Sequence, residues 1–293
     1  MQKGLKIKDD RKERLYFAIT VVGCGGNGSH FVRNLCQLTR TYLDKDGNEE
    51  KLGMELTLVD ADKVEAKNIG NQLFDVDDLY DYKAVALAER YGYHYELPIM
   101  YVKEYVKTIE QLKSLFPKRQ TSERTQVVNI LVGMVDNNRT RQVCHDFFYD
   151  ESVQDLIWLD AGVEGVTVFE KDELTAEEQN EIDSSGFSGQ ICCGVKCNGE
   201  VILEPVTEVY SNILEDTRTS FPDESCGELI VNNPQRLMTN QLAAQLATVF
   251  INNLYHTGQI FMHYINFNSQ YGNSRPVFIN ESQIEKLERL MKC

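Results

Sequence analysis

Phe17-Ala18-Ile19-Thr20-Val21-Val22-Gly23-Cys24-Gly25-Gly26-Asn27-Gly28-Ser29 is the stretch whose reading decides the fold. Its first six residues form an apolar, β-branched run, the pattern of a strand buried on both faces of a parallel sheet. The glycines at 23, 25 and 28 then spell G-x-G-x-x-G, with a further glycine at 26. That spacing permits a tight turn, close approach of backbone N–H groups to a phosphate, and tight packing of helix on strand. Ser29 to Arg40 continues as a helix whose N-terminus faces the anion. A second strand, Glu55-Leu56-Thr57-Leu58-Val59, ends at Asp60, where a carboxylate takes a ribose hydroxyl pair. Motif, strand, helix and acid-tipped second strand together predict a nucleotide-binding βαβ unit. Glycines serving packing geometry alone would not require four in six residues.

Length and charge set the outer limits. A chain of 293 residues can bury a full core, as one large domain or one and a half. The net charge of −15 and sequence pI near 4.8 disfavour generic binding to a phosphate backbone, which needs clustered lysine and arginine, so no nucleic-acid partner is expected. No apolar run approaches the ~20 residues that cross a bilayer, and Met1 to Arg14 is charged rather than signal-like. Eight scattered cysteines then read as reduced thiols of a cytoplasmic protein.

Along the chain, 41–53 is a polar surface loop with an Asp-Gly-Asn turn signal, and Asp75, Asp77, Asp78 and Asp81 form a solvated acidic loop. Lys83 to Tyr91 has helical spacing. A strand at 99–102, a helix at 108–116, a loop at 117–124 and a strand at 127–135 follow. Cys144 and His145, as helix neighbours, point about 100° apart and read as structural. Ile157 to Gly162 is another buried strand, with the sole tryptophan in the core and Asp160 facing the crevice beyond the strand ends. From Lys171 to Gln190 the composition turns acidic and predicts a flexible loop over the site, or a partner-binding insertion. Cys192, Cys193 and Cys197 lack zinc-ligand spacing, so no zinc site is expected. Cys226 lies in a turn-rich stretch whose acidic neighbours oppose a reactive thiolate. Pro234 to Tyr255 is the clearest helix; strands at 260–267 and 275–279 and an amphipathic helix at 283–292 close the chain.

The segment after Asp60, Ala61-Asp62-Lys63-Val64-Glu65-Ala66-Lys67-Asn68-Ile69-Gly70-Asn71-Gln72, resembles the D-x-D-x-V-E-x-x-N-x-x-R-Q element of the ThiF/MoeB/HesA family, relatives of ubiquitin-activating enzymes. Asp81-Tyr82-Lys83-Ala84 matches the family's lysine, and Asp136-Asn137-Asn138-Arg139-Thr140-Arg141 resembles its D-N-x-x-x-R element. Ser225-Cys226 and the 240–268 pattern extend the likeness to the ThiF-like proteins of plasmid-borne PRTRC systems. The resemblance implies an α/β fold: a Rossmann-like, mostly parallel sheet with helices on both faces, completed by a C-terminal helix and antiparallel strands. Residues 1–165 would be the ATP-binding half, and 166–293 the acidic insertion, crossover loop and helix-strand half of the same adenylation domain.

The activity so implied is ATP- and Mg2+-dependent adenylation of the C-terminal carboxylate of a ubiquitin-like or sulfur-carrier-like protein ending in glycine, by a homodimer. Gly23, Gly25, Gly26 and Gly28 would form the phosphate turn, with Asp60 on the ribose and Lys83 on the phosphates. Asp136 would hold the magnesium; Asp62, Asn68, Asn71, Gln72, Asn137 and Arg141 would line the site, and Cys226 would be a thioester nucleophile or a structural thiol. One departure stands out. Where the family has a phosphate-contacting arginine, this chain has Asn71, which supplies neither a cation nor a bidentate fork. Either Arg11, Arg14, Arg139 or Arg141 substitutes, or the chain is a catalytically weak nucleotide-binding adaptor. An NAD-dependent oxidoreductase would suit Asp60 but leaves Lys83 and Asp136 without a task.

Overall fold

A computed structural model describes residues 3–43, 52–116, 122–169, 171, 173–217, 220–222 and 235–292. Cys226 and Pro234 lie outside the described residues. The chain enters through a short strand, β1 (Leu5–Lys6), and then forms β2 (Arg14–Val22), α1 (Gly26–Tyr42), β3 (Leu52–Val59), α2 (Lys83–Tyr95), β4 (Ile99–Val102), α3 (Ile109–Leu115) and β5 (Thr125–Gly133). Next come α4 (Asn138–Tyr149), β6 (Leu156–Val163), α5 (Ala176–Ser184), β7 (Ser188–Cys197) and β8 (Glu200–Leu203). Two short turns of helix, α6 (Val206–Val209) and α7 (Asn212–Glu215), precede α8 (Leu237–Thr257). The chain ends with β9 (Gln259–Ile260), β10 (Met262–Asn268), β11 (Asn273–Phe278) and α9 (Glu281–Lys292).

One sheet runs through both halves of the sequence, in the order β11-β10-β7-β6-β5-β2-β3-β4 with β8 also on β7. From β4 to β6 every pairing is parallel, and β7, β10 and β11 extend the sheet antiparallel. β2 sits between β3 and β5, and its residues from Leu15 onward are buried, which is why its sequence is a continuous apolar run rather than an alternation. α1, α2 and α8 cover one face, where Phe17, Ile19, Leu35, Leu56, Ile130 and Phe250 pack. α3, α4, α6 and α7 cover the other, around Leu131, Phe147, Phe148 and Trp158. Among the described residues no helix is long and apolar enough to cross a membrane.

The 171–190 segment differs from its sequence expectation. It holds α5, opened by a reciprocal cap between Thr175 and Glu178, and then the start of β7, an interior strand of the sheet. The Arg236 guanidinium donates to the Ser185 and Ile182 carbonyls at 2.8 and 2.9 Å, satisfying the C-terminal end of α5, and it stacks on Phe187. The segment is therefore tied to the start of α8 rather than left as a free loop. Cys192 and Cys193 alternate along β7 into opposite core layers, and burial raises both thiols above their ordinary range.

Candidate functional site

The C-terminal ends of β2, β3, β5 and β6 open into a cavity of about 530 Å3, at the edge where open α/β sheets bind ligands. The glycine turn forms its base. Gly23 adopts φ +96°, and a Cβ there would lie 2.6 Å from the Met134 carbonyl oxygen. At Gly28 a Cβ would sit 2.0 Å from the Gly23 carbonyl oxygen. Gly25 is different: the nearest atom to a Cβ is Gln72 Nε2 at 4.0 Å, so its face is open to the cavity. Gly25 is also the N-cap of α1 and offers no side-chain cap, leaving first-turn N–H groups and the helix dipole for an anion.

These glycines should therefore respond unequally to alanine. Gly28→Ala is expected to destabilise the protein by about 1–3 kcal/mol through overpacking and to remove nucleotide binding. Gly25→Ala should leave stability within about 0.5 kcal/mol while still weakening binding. Thermal melts beside nucleotide titrations separate the two.

Asp60 serves the turn directly. Its Oδ2 accepts the Cys24 N–H at 2.7 Å and its Oδ1 the Asp62 N–H at 2.8 Å. Burial pushes its carboxyl up to about 6, against the pull of Lys83. Lys83, the first residue of α2, is buried and bonds Asp62 Oδ2 at 2.9 Å. Burial works against its charge, but Asp60, Asp62 and Asp136 more than offset this, and its ammonium is raised above the usual range. Asp62 is likewise penalised by burial and is nevertheless held low by Lys83 and the Tyr105 hydroxyl, which donates to its Oδ1. The acidic loop is tied to α2: Arg90 donates to the Leu73 carbonyl at 2.7 Å and pairs with Asp75 and Asp78.

Asp136 follows β5, is exposed, lines the same cavity, and makes no ion pair or hydrogen bond among the described residues. Asn137 beside it caps α4, accepting the Thr140 N–H at 2.8 Å. No group of three or more His, Cys, Asp and Glu able to hold a metal occurs among the described residues. A single available carboxylate next to a phosphate turn fits magnesium, which binds through one or two carboxylates plus substrate phosphates rather than in a protein cage.

Not every residue named from the sequence meets here. Gly23, Gly25, Gly26, Asp60, Asp62, Gln72, Lys83, Asp136, Asn137 and Arg141 line the cavity, whereas Gly28 packs beneath it against the Gly23 carbonyl. Asn68 does not: its Oδ1 accepts the Glu65 N–H at 2.8 Å within a reciprocal cap on a short 3-10 turn. Asn71 is also absent from the lining, and its Oδ1 is buried without a partner. Arg141 reaches the cavity only with its edge, because its Nε donates to the buried Asp160 at 3.0 Å and its Nη2 to the Val135 carbonyl at 2.7 Å. Asp160, expected in the crevice, is thus consumed in the core. Its charge is disfavoured by burial more than Arg141 restores it.

Of the four candidate arginines only Arg141 lines the cavity, and it is paired with Asp160. Arg11 pairs with Asp9 and lines a separate cavity with Leu287 and Met291. Arg14 begins β2, roughly 26 Å from the glycine turn at ~3.3 Å per residue. Arg139 engages Gln142 and the Phe221 ring. Residues that sequence reasoning did not name also line the cavity, among them Asn27, Glu104, Tyr105, Gln190 and Gln235. Glu104 and Tyr105 could have been found, since they directly follow a strand expected at 99–102.

The sequence matches the ThiF family over residues 5–284. No curated protein matches it. Among solved structures, a crystal structure of PaaA aligns over 92% of this chain and 65% of its own length, with TM-score 0.52 and 18% identity. E. coli MccB with ATP aligns over 92% and 65%, with TM-score 0.54 and 14% identity. E. coli MccB with AMPCPP and MccA aligns over 90% and 64%, with TM-score 0.52 and 13% identity. The chain thus spans about two thirds of the length of these proteins, and at such identities the likeness is one of fold.

Proposed function

Because the chain belongs to the ThiF family, we propose that it is an ATP-dependent adenylyltransferase that activates the C-terminal carboxylate of a protein or peptide, such as a ubiquitin-like or sulfur-carrier-like protein. The observation that carries this reading is the meeting, in one cavity, of an uncapped α1 N-terminus, a buried Lys83 and an available Asp136. A substrate carboxylate oxygen would attack the α-phosphorus of ATP. The bond from that phosphorus to the bridging oxygen breaks, and pyrophosphate leaves with its electron pair. No protein group needs to form a covalent bond; the work is positioning and charge stabilisation.

Turn N–H groups from Gly25 onward would bind phosphate oxygens, and Asp60 would accept from a ribose hydroxyl with the lone pairs that Cys24 and Asp62 leave over. Lys83 would offset negative charge on the phosphates. Asp136 would hold Mg2+, whose chemistry when bound is to neutralise phosphate charge. The need for it is visible in the lining: among the described residues Asp60, Asp62, Glu104 and Asp136 face only Lys83 and Arg141, both already paired with carboxylates. A polyphosphate entering this acidic cavity without a divalent cation meets net repulsion.

ATP affinity is accordingly expected to fall at least about tenfold when Mg2+ is chelated, measured by calorimetric titration. ATP–pyrophosphate exchange, with partners ending in a free glycine carboxylate, tests the reaction itself. Partner-dependent exchange supports adenylation. Tight Mg-ATP binding without exchange favours the nucleotide-binding adaptor, a reading motivated by Asn71, by the distance of Arg14 and by the contacts that Arg11, Arg139 and Arg141 already make. Binding of NADH in place of ATP overturns both.

A further inference from the structure

The cavity extends past the glycine turn toward β7. It crosses the strand ends in the order β3, β2, β5, β6, β7, four inter-strand gaps or roughly 19 Å. Its charged side chains lie at one end and in the middle: Asp60, Asp62, Lys83 and Glu104 beside β3 and β4, Asp136 and Arg141 beyond β5. Among the described residues the arm over β6 and β7 is lined by uncharged groups, Gly162, Val163, Gly165, Gln190, Tyr210 and Gln235.

Gln190 dominates this arm. It stands opposite Gly162 in the β6–β7 ladder. A Cβ on Gly162 would lie 2.2 Å from Gln190 Nε2 and 2.9 Å from its Cδ. The carboxamide therefore lies across the bare backbone of Gly162, a position open to it only because residue 162 has no side chain. Among the described residues neither its NH2 nor its carbonyl oxygen has a hydrogen-bond partner. A carboxamide with both functions spare matches a peptide unit, donating to its C=O and accepting from its N–H.

We propose that Gln190 is a specificity-determining residue for the acyl substrate: it reads a main-chain peptide unit of the incoming C-terminal segment. The inference rests on the adenylation reading above. The charged end takes the nucleotide, the carboxylate reaches the α-phosphorus near Asp136, and the segment behind it runs over β6 toward β7. Two strand gaps, roughly 10 Å, correspond to about three extended residues. Gln190 thus meets the peptide unit two or three residues from the terminus. An uncharged arm floored by glycine accepts small residues there and selects by backbone rather than by side-chain charge.

The test is ATP–pyrophosphate exchange with Mg2+ on the full chain, using a pool of random hexapeptides with a free C-terminal glycine. The best peptide is then compared with analogues carrying an ester in place of the amide at the second or third residue from the end. Gln190→Ala, and Gln190→Met, which keeps length without the amide, are expected to raise the peptide KM about tenfold with the ATP KM within about twofold. One ester should weaken the wild type several-fold and leave both variants indifferent. A merely structural glutamine would not produce that last difference. Unchanged peptide KM, or parallel loss of ATP affinity, overturns the role of Gln190 alone. No exchange by the wild type overturns the adenylation reading and this inference together.

Discussion

Lys83→Ala is expected to lower the pyrophosphate-exchange rate by about 100- to 1,000-fold with little change in melting temperature. Lys83 is the only cation on the β3 side of the described cavity lining, where Asp60, Asp62 and Glu104 stand. Removing it leaves the carboxylates facing each other and the phosphates without a countercharge on that side. Binding and turnover should both suffer, with the larger loss in turnover if charge builds on the departing pyrophosphate. The fold is spared because Asp62, its direct partner, is 41% exposed and keeps the Tyr105 hydroxyl, so water takes over what Lys83 vacates. Lys83→Arg should not restore the rate, since a planar guanidinium does not fit the ammonium's place at the first turn of α2. Exchange within tenfold of wild type in Lys83→Ala would show that the lysine does not meet the phosphates.

The opposite partition is expected at Asp160. Asp160→Ala strands a buried guanidinium, and breaking such a pair costs about 3–5 kcal/mol, a fall in melting temperature on the order of 10 °C. The pair is 8% and 1% exposed at Arg141 and Asp160, so solvent does not rescue it. Replacing both partners with apolar residues, Asp160→Leu with Arg141→Met, should recover much of the stability. Activity would remain impaired, because Arg141 also bonds the Val135 and Ala161 carbonyls that flank the end of β5 beside Asp136. Denaturant melts of the single and double variants decide the matter. An undiminished Asp160→Ala would mean that Arg141 is free to turn into the cavity, as the family resemblance implies.

These two sites also mark where sequence reading succeeds and stops. The runs at 17–22, 55–59, 127–135 and 157–162 are apolar because strands in the middle of a parallel sheet are covered on both sides, and the glycine turn carries its geometry in its spacing. β7 escapes notice: Ser188-Gly189-Gln190-Ile191-Cys192-Cys193-Gly194-Val195-Lys196-Cys197 is diluted by glycine and follows an acidic stretch. It is nevertheless buried along most of its length, because β6 and β10 flank it. A readable signal did exist for α5, the Thr175–Glu178 cap. The Arg141–Asp160 pair depends on two strand ends meeting in space, and Asn68 on a turn that closes within its own loop. Neither spacing nor residue type distinguishes such a partner from a ligand contact.

The position of β2 between β3 and β5 carries a consequence for the birth of the chain. β3 follows β2 closely, whereas β5 is made only about 110 residues later. At a synthesis rate of about 5–20 residues per second, one edge of the Phe17–Val22 strand stays open on the ribosome for about 5–20 s. During that interval an uncharged, β-branched hexapeptide without proline displays unmatched main-chain groups beside a nascent polypeptide. The charged entry from Lys3 to Arg14 directly precedes it, where gatekeeping charges oppose strand-to-strand association.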